Sequence, residues 1–203
     1  IFFVGLISYA RSYDGRVIPG VFVGQSPLGG MERVEVKTFL QNMNDKLISE
    51  GLHIFIEDES RLQHERIIYP VFVTESNSVE LLTMDVEREV DRLLAYGKQG
   101  GIISRAAQII KSRVGGGVQV PLESVQADTG RIMEAVEVYI KEFESPAQNA
   151  GFDVVSIDPF EYETVSSSAG IAYRYEDIDQ RFVESWTVLE APYVVLSPIL
   201  EEP

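Results

Sequence analysis

At 203 residues with 45% apolar side chains, the chain has enough material to bury a core, as one domain or as two small ones. Its 32 acidic against 17 basic residues leave a net charge of −15, which repels phosphate backbones and anionic lipid headgroups, and its lysines and arginines form no basic run. The absence of cysteine excludes thiolate nucleophiles, zinc–thiolate and iron–sulfur sites, and disulfides.

In chain order, "IFFVGLISY" (1–9) reads as a buried apolar strand. The tail of a signal peptide is the alternative reading, disfavoured because Arg11 and Asp14 stand where a small-residue cleavage site is expected. "SYDGRVIPG" is a turn and "VFVG" a second short strand. Val36, Phe39, Leu40, Met43 and Leu47 then fall at i, i+3, i+4, i+7 and i+11, one apolar stripe of a helix that Gly51 stops. "LHIFIEDE" alternates, with Ile54 and Ile56 on one face and His53, Phe55 and Glu57 on the other. "RIIYPVFVTES" follows as a strand whose Pro70 requires an edge or a bulge, and His64 falls in a charged hairpin tip before it.

From Ser78 the spacing of Val79, Leu82, Val86, Val90 and Leu93 predicts a helix closed by Gly97, with "VELLTM" as an alternative opening strand. A short helix in "GKQGGIISRAAQIIKSRVGGG" lies between two glycine clusters and reads as a mobile insertion spanning 97–121. A further helix at 129–143 carries Ile132, Met133, Val136, Ile140 and Phe143. The last fifty residues read as strands: "FDVVSI", "FEYETV", "GIAYRYE", "RFVESWTVL" and "PYVVLSP". The expectation is a single α+β domain over 1–203: N-terminal strands within 1–25, a mostly antiparallel sheet with three to four helices packed on it, and a C-terminal β-meander. No apolar run approaches the roughly 20 residues that span a bilayer, so no membrane partner is expected.

The candidate chemistries are sparse. Two histidines, His53 and His64, and no G-x-S-x-G elbow leave no outline of a serine hydrolase. "GKQGGIIS" with Lys98 matches neither glycine-rich phosphate motif. Glu161 and Glu163, two apart in "FEYETV", are placed like a glycosidase pair, but they also fit the wet side of an amphipathic strand opposite Phe160, Tyr162 and Thr164. The densest polar stretch is "AYRYEDIDQRFVESWTV" (172–188). Glu176, Asp177 and Asp179 are its candidate metal ligands, but the EF-hand pattern begun by Asp177-x-Asp179 fails at Phe182 and Val188, where glycine and glutamate belong. The alternation of Tyr173 with Tyr175, and of Phe182 with Trp186 and Val188, reads the stretch as a hairpin whose aromatics Tyr173, Tyr175, Phe182 and Trp186 are candidate interface residues.

The amphipathic helix 36–50, the strands of "IIYPVFVTES" and the closing "DQRFVESWTV" resemble the tail-terminator or neck proteins of tailed bacteriophages and related injection particles. Phe182, Glu184, Trp186 and Thr187 match their late aromatic-x-x-[RE]-x-W-T strand most nearly. The resemblance covers residues 34–75 and 129–197; the strands before residue 30 and the helix at 102–114 depart from it. It implies a non-enzymatic, cofactor-free subunit that forms a ring with copies of itself and neighbouring structural proteins, in a virion or particle assembled in the cytoplasm, without sequence-specific nucleic-acid binding. A metal-dependent enzyme using the acidic stretch, and a monomeric adaptor binding a partner through the Tyr and Trp residues, are the alternative readings.

Overall fold

The structure, a computed structural model, describes residues 11–73, 78–101, 107–112 and 115–203. The expected strand at 1–9 and part of the expected helix at 102–114 lie outside them. The architecture is α+β, built of small and mostly antiparallel sheets. In chain order, β1 (Val21–Val23) pairs with β2 (Ser26–Pro27) and runs into α1 (Arg33–Glu50). Glu32 opens α1 through a capping box with Glu35, and Val36, Leu40 and Leu47 turn inward as their spacing requires. Gly51 ends the helix at φ +84, where an added Cβ would lie 2.5 Å from Ile67 Cγ2.

β3 (Leu52–Glu57) is the middle strand of a three-stranded sheet, with β4 (Gln63–Ile68) antiparallel on one side and β13 (Tyr193–Leu196) parallel on the other. Leu52, Ile54, Ile56, Ile68, Val194 and Leu196 face the core, as period-2 alternation dictates. The expected single strand at 66–76 is divided: β4 begins at Gln63, so His64 is a strand residue paired with Ile56 and not part of a hairpin tip. Pro70, with no N–H for a ladder, breaks the run before β5 (Val71–Val73), which pairs with β6 (Ser78–Glu80).

Residues 78–84 are strands and not the first turns of a helix. β7 (Leu82–Met84) pairs with β9 (Val125–Ala127), and α2 (Val86–Ala95) starts only at Asp85, whose carboxylate accepts the Arg88 N–H at 3.0 Å. The backbone is drawn into strand by long-range partners: Leu81 N–H donates to the Pro70 carbonyl, and Asp128 N–H to the Leu81 carbonyl. Within the segment expected as an insertion, Ile109 is buried in the core, and β8 (Val118–Gln119) runs parallel to β1. α3 (Thr129–Ile140) buries Ile132, Val136 and Ile140, the stripe read from the sequence.

The C-terminal region is not a meander. β10 (Gly151–Ile157) and β11 (Phe160–Val165) form a hairpin by themselves, and β12 (Gly170–Tyr173) pairs with β14 (Pro198–Glu201). Between β12 and β13, "IDQRFVESWT" is helix α4 (Ile178–Thr187). The helix wins because Ile178, Phe182 and Trp186 recur every four residues and together fill the core, whereas a strand would place Glu184 on the same inward side as Phe182 and Trp186. The closing strand expected from the phage resemblance is therefore absent at 182–187. One cluster of buried side chains runs from Val17 to Leu196. Among the described residues, no helix is long and apolar enough to cross a membrane.

Candidate interaction surface

The acidic stretch does not converge on a point. Asp177 faces outward and accepts from Arg181 Nε and Nη2, both at 3.0 Å, whereas Asp179, buried at the start of α4, accepts from Thr129 Oγ1 at 2.5 Å. Glu176 is exposed. Among the described residues, no group of three or more histidines and carboxylates is placed to hold a metal ion. The proposed interface aromatics are corrected as well. Phe182 and Trp186 are core residues, Tyr173 is buried with its hydroxyl donating to the Glu57 carbonyl at 2.7 Å, and only Tyr175 is half-exposed. Burial also raises the Tyr173 hydroxyl above the usual tyrosine pKa, with Asp58 adding to the effect.

Each histidine is bound to one carboxylate. His53 Nδ1 lies 2.6 Å from Glu65 Oε1, and His64 Nε2 lies 2.9 Å from Asp58 Oδ2. Ser60 gives Asp58 its backbone N–H at 2.8 Å, and Leu62 gives another at 3.0 Å, so Asp58 organises the β3–β4 turn. The His64 hydrogen bond, then the Leu62 N–H, hold Asp58 below the ordinary aspartate pKa. Its stabilising contribution is present above the unfolded-state carboxylate pKa and is lost as pH falls through the lower folded value. Asp58→Asn should therefore flatten the acid limb of a plot of urea midpoint against pH between about pH 5 and 2. An unchanged acid limb in the variant would refute this role.

Lys98 donates to the Arg16 carbonyl. The cleft beside it, about 530 Å³ between Tyr96, Gln108, Lys111 and Gly117, gathers no carboxylate or histidine among the described residues.

The unexplained surface lies elsewhere. β10 and β11 alternate aromatic and β-branched residues with acids, the composition of a half-buried sheet. Phe152 pairs with Thr164, Val154 with Tyr162, and Ile157 with Phe160, while Asp153 pairs with Glu163 and Ser156 with Glu161 on the opposite face. The register shifts between Val154 and Ser156. That bulge returns Ile157 to the face of Phe152 and Val154, where strict alternation would have put it with the acids.

One face is thus apolar apart from Thr164, and nothing among the described residues covers it. Phe152 is 70% exposed, Val154 and Tyr162 56%, Phe160 66% and Ile157 85%. Tyr162 meets Phe152 edge-on at 5.3 Å between ring centres and lies 6.1 Å from Phe160, so the rings pack on one another. The acids of Glu161 and Glu163 occupy the wet face as the sequence implies, but the other face is not packed. The legs of this arm are fastened at its base. Gln148 and Ser168 exchange two backbone hydrogen bonds of 2.9 Å, and Ser145 and Ile171 exchange bonds of 3.1 and 2.7 Å. Gly170 permits the close approach, since a Cβ there would lie 2.3 Å from Ala147 N.

A second, largely apolar surface lies on the outer face of the β13–β3–β4 sheet, which also carries Glu57, Gln63 and Glu65. Tyr193 stands beside His53 and Val195 beside Phe55. Tyr193 is 62% exposed and meets the Phe55 ring edge-on, Phe55 stacks on His53, and Ile67 flanks them on β4. No sequence signal in either segment distinguishes these residues from core: alternation reports that a strand has two faces, not what covers each.

No protein-family model matches this chain, and no curated protein or solved structure matches it.

Proposed function

We propose that the chain is a non-enzymatic structural subunit of a multimeric assembly, a ring-forming tail or neck component of a virion or injection particle. The uncovered apolar face of the 151–165 arm carries this reading. A two-stranded hairpin is marginal in water by itself, and Asp153 opposite Glu163 weakens this one further, so such an arm is stabilised by what it docks on. Contiguous apolar patches of this kind on a folded chain mark association surfaces. The order of α1 and β3–β5 agrees with the tail and neck resemblance over residues 34–73. The net charge of −15 suits a subunit that lines a passage for DNA without retaining it. The partners are other copies of the chain and adjoining structural proteins.

Native mass spectrometry and light scattering of the purified chain test this directly. A discrete oligomer at micromolar concentration is expected. A monomer from micromolar to millimolar protein, at both low and physiological salt, would remove the proposal.

A further inference from the structure

We infer that the partner of the arm is a second copy of this chain, and that the receiving surface is the outer face of its β13–β3–β4 sheet, so that each copy gives an arm to one neighbour and takes one from the other. This inference rests on the assembly reading above and adds the partner and the contact. The area supports it. With aromatic side chains of roughly 150–250 Å² and aliphatic ones of about 60–120 Å², the exposures of Phe152, Val154, Ile157, Phe160 and Tyr162 leave on the order of 500 Å² of apolar surface on the arm. One side of a standard interface buries about 800 Å², of which about 60% is apolar. The arm alone supplies that content.

The sheet face is the matching surface in kind. It presents Tyr193, Phe55, Val195 and Ile67 on one side of three paired strands, beside the His53–Glu65 pair and with Glu57 and Gln63 at one end, a flat and largely aromatic and aliphatic surface of the kind against which a second sheet packs at about 10 Å.

Coverage of both surfaces decides between this contact and the pairing of two arms. Each arm carries Asp153, Asp158, Glu161 and Glu163. Joining two arms through their apolar faces would leave the sheet faces uncovered. Laying an arm on the sheet keeps Asp153, Glu161 and Glu163 toward solvent and covers both apolar surfaces of every chain in one repeated contact. Because the two surfaces differ, the contact is head-to-tail and closes into a ring when its rotation permits.

Complementation tests the inference. An arm variant, Phe152→Ser with Phe160→Ser, and a face variant, Tyr193→Glu, should each lose at least tenfold in apparent association constant by sedimentation, with unchanged circular dichroism. Mixed, they should recover association as heterodimers, since each retains the surface its partner lacks. Because the chain has no cysteine, Tyr162→Cys in one copy and Tyr193→Cys in another provide a second measurement: they should cross-link between copies under mild oxidant, and neither variant should do so alone.

Unimpaired assembly of the Tyr193→Glu variant with no rescue on mixing would put the arm on another surface, a second arm included, and overturn the inference. Oligomers unaffected by either variant would overturn it while leaving the assembly reading intact. A purified chain that is monomeric throughout would overturn both.

Discussion

Replacing Glu89 with alanine is expected to cost about 3–5 kcal/mol of folding stability, the loss typical of removing one member of a buried, hydrogen-bonded charge pair. Glu89 lies on the inward side of α2 with no solvent exposure. One of its oxygens accepts the backbone N–H groups of Glu123 at 2.7 Å and Ser124 at 2.5 Å, and the other accepts Arg92 Nε at 2.8 Å. The carboxylate therefore ties the helix to the loop that leads into β9. Without it, two peptide N–H groups at a water-poor site have no acceptor, and the full desolvation cost of each is felt.

Arg92 keeps the Pro121 carbonyl and Glu123 Oε1, so the loss falls chiefly on the loop. Glu89→Gln retains an acceptor oxygen and should cost only about 1–2 kcal/mol. Urea titration at fixed protein concentration, followed by the fluorescence of the sole tryptophan, Trp186, measures both. A loss below about 1 kcal/mol in the alanine variant would refute the assigned role.

Phe182→Ala is expected to be of similar size, about 3–5 kcal/mol, because it removes a fully buried ring from the side of α4 that faces β9, β13 and α3. Phe182→Leu should cost about 1 kcal/mol, since much of the volume is kept. The informative control is Glu184→Ala. On a strand, residues 182, 184 and 186 would share one side, and removing a charge there would alter packing. On α4, Glu184 is exposed and away from Phe182 and Trp186, so its replacement should stay within about 0.5 kcal/mol. A large effect at Glu184 with a small one at Phe182 would contradict the helix.

These two sites account for different parts of the architecture. Glu89 satisfies a loop that a hydrophobic residue could not, and Phe182 seals the cluster against which the β13–β3–β4 sheet rests. The rigid body they maintain positions the two apolar surfaces proposed to meet between copies.

Where one face of an element is buried along its whole length, the residues by themselves determined the outcome. The stripe of Val36, Leu40 and Leu47 made α1, Ile132, Val136 and Ile140 made α3, and Ile54 with Ile56 made β3, because helical and strand periods are properties of the local chain. The α+β class follows from those elements and their order. Tertiary structure decided the segments whose local pattern satisfies two periods. Residues 178–187 alternate aromatic with polar and also repeat every four residues, and the core-filling fit of Ile178, Phe182 and Trp186 selected the helix. Residues 78–84 carried a helical stripe but became strands once β5 and β9 offered hydrogen-bond partners. The parallel pairing of β13 with β3 joins residues far apart in the chain, and no local pattern encodes it. The arm shows the same limit: its alternation specified a two-faced hairpin, but whether the face of Phe152 and Ile157 meets core or solvent depends on contacts beyond its own sequence.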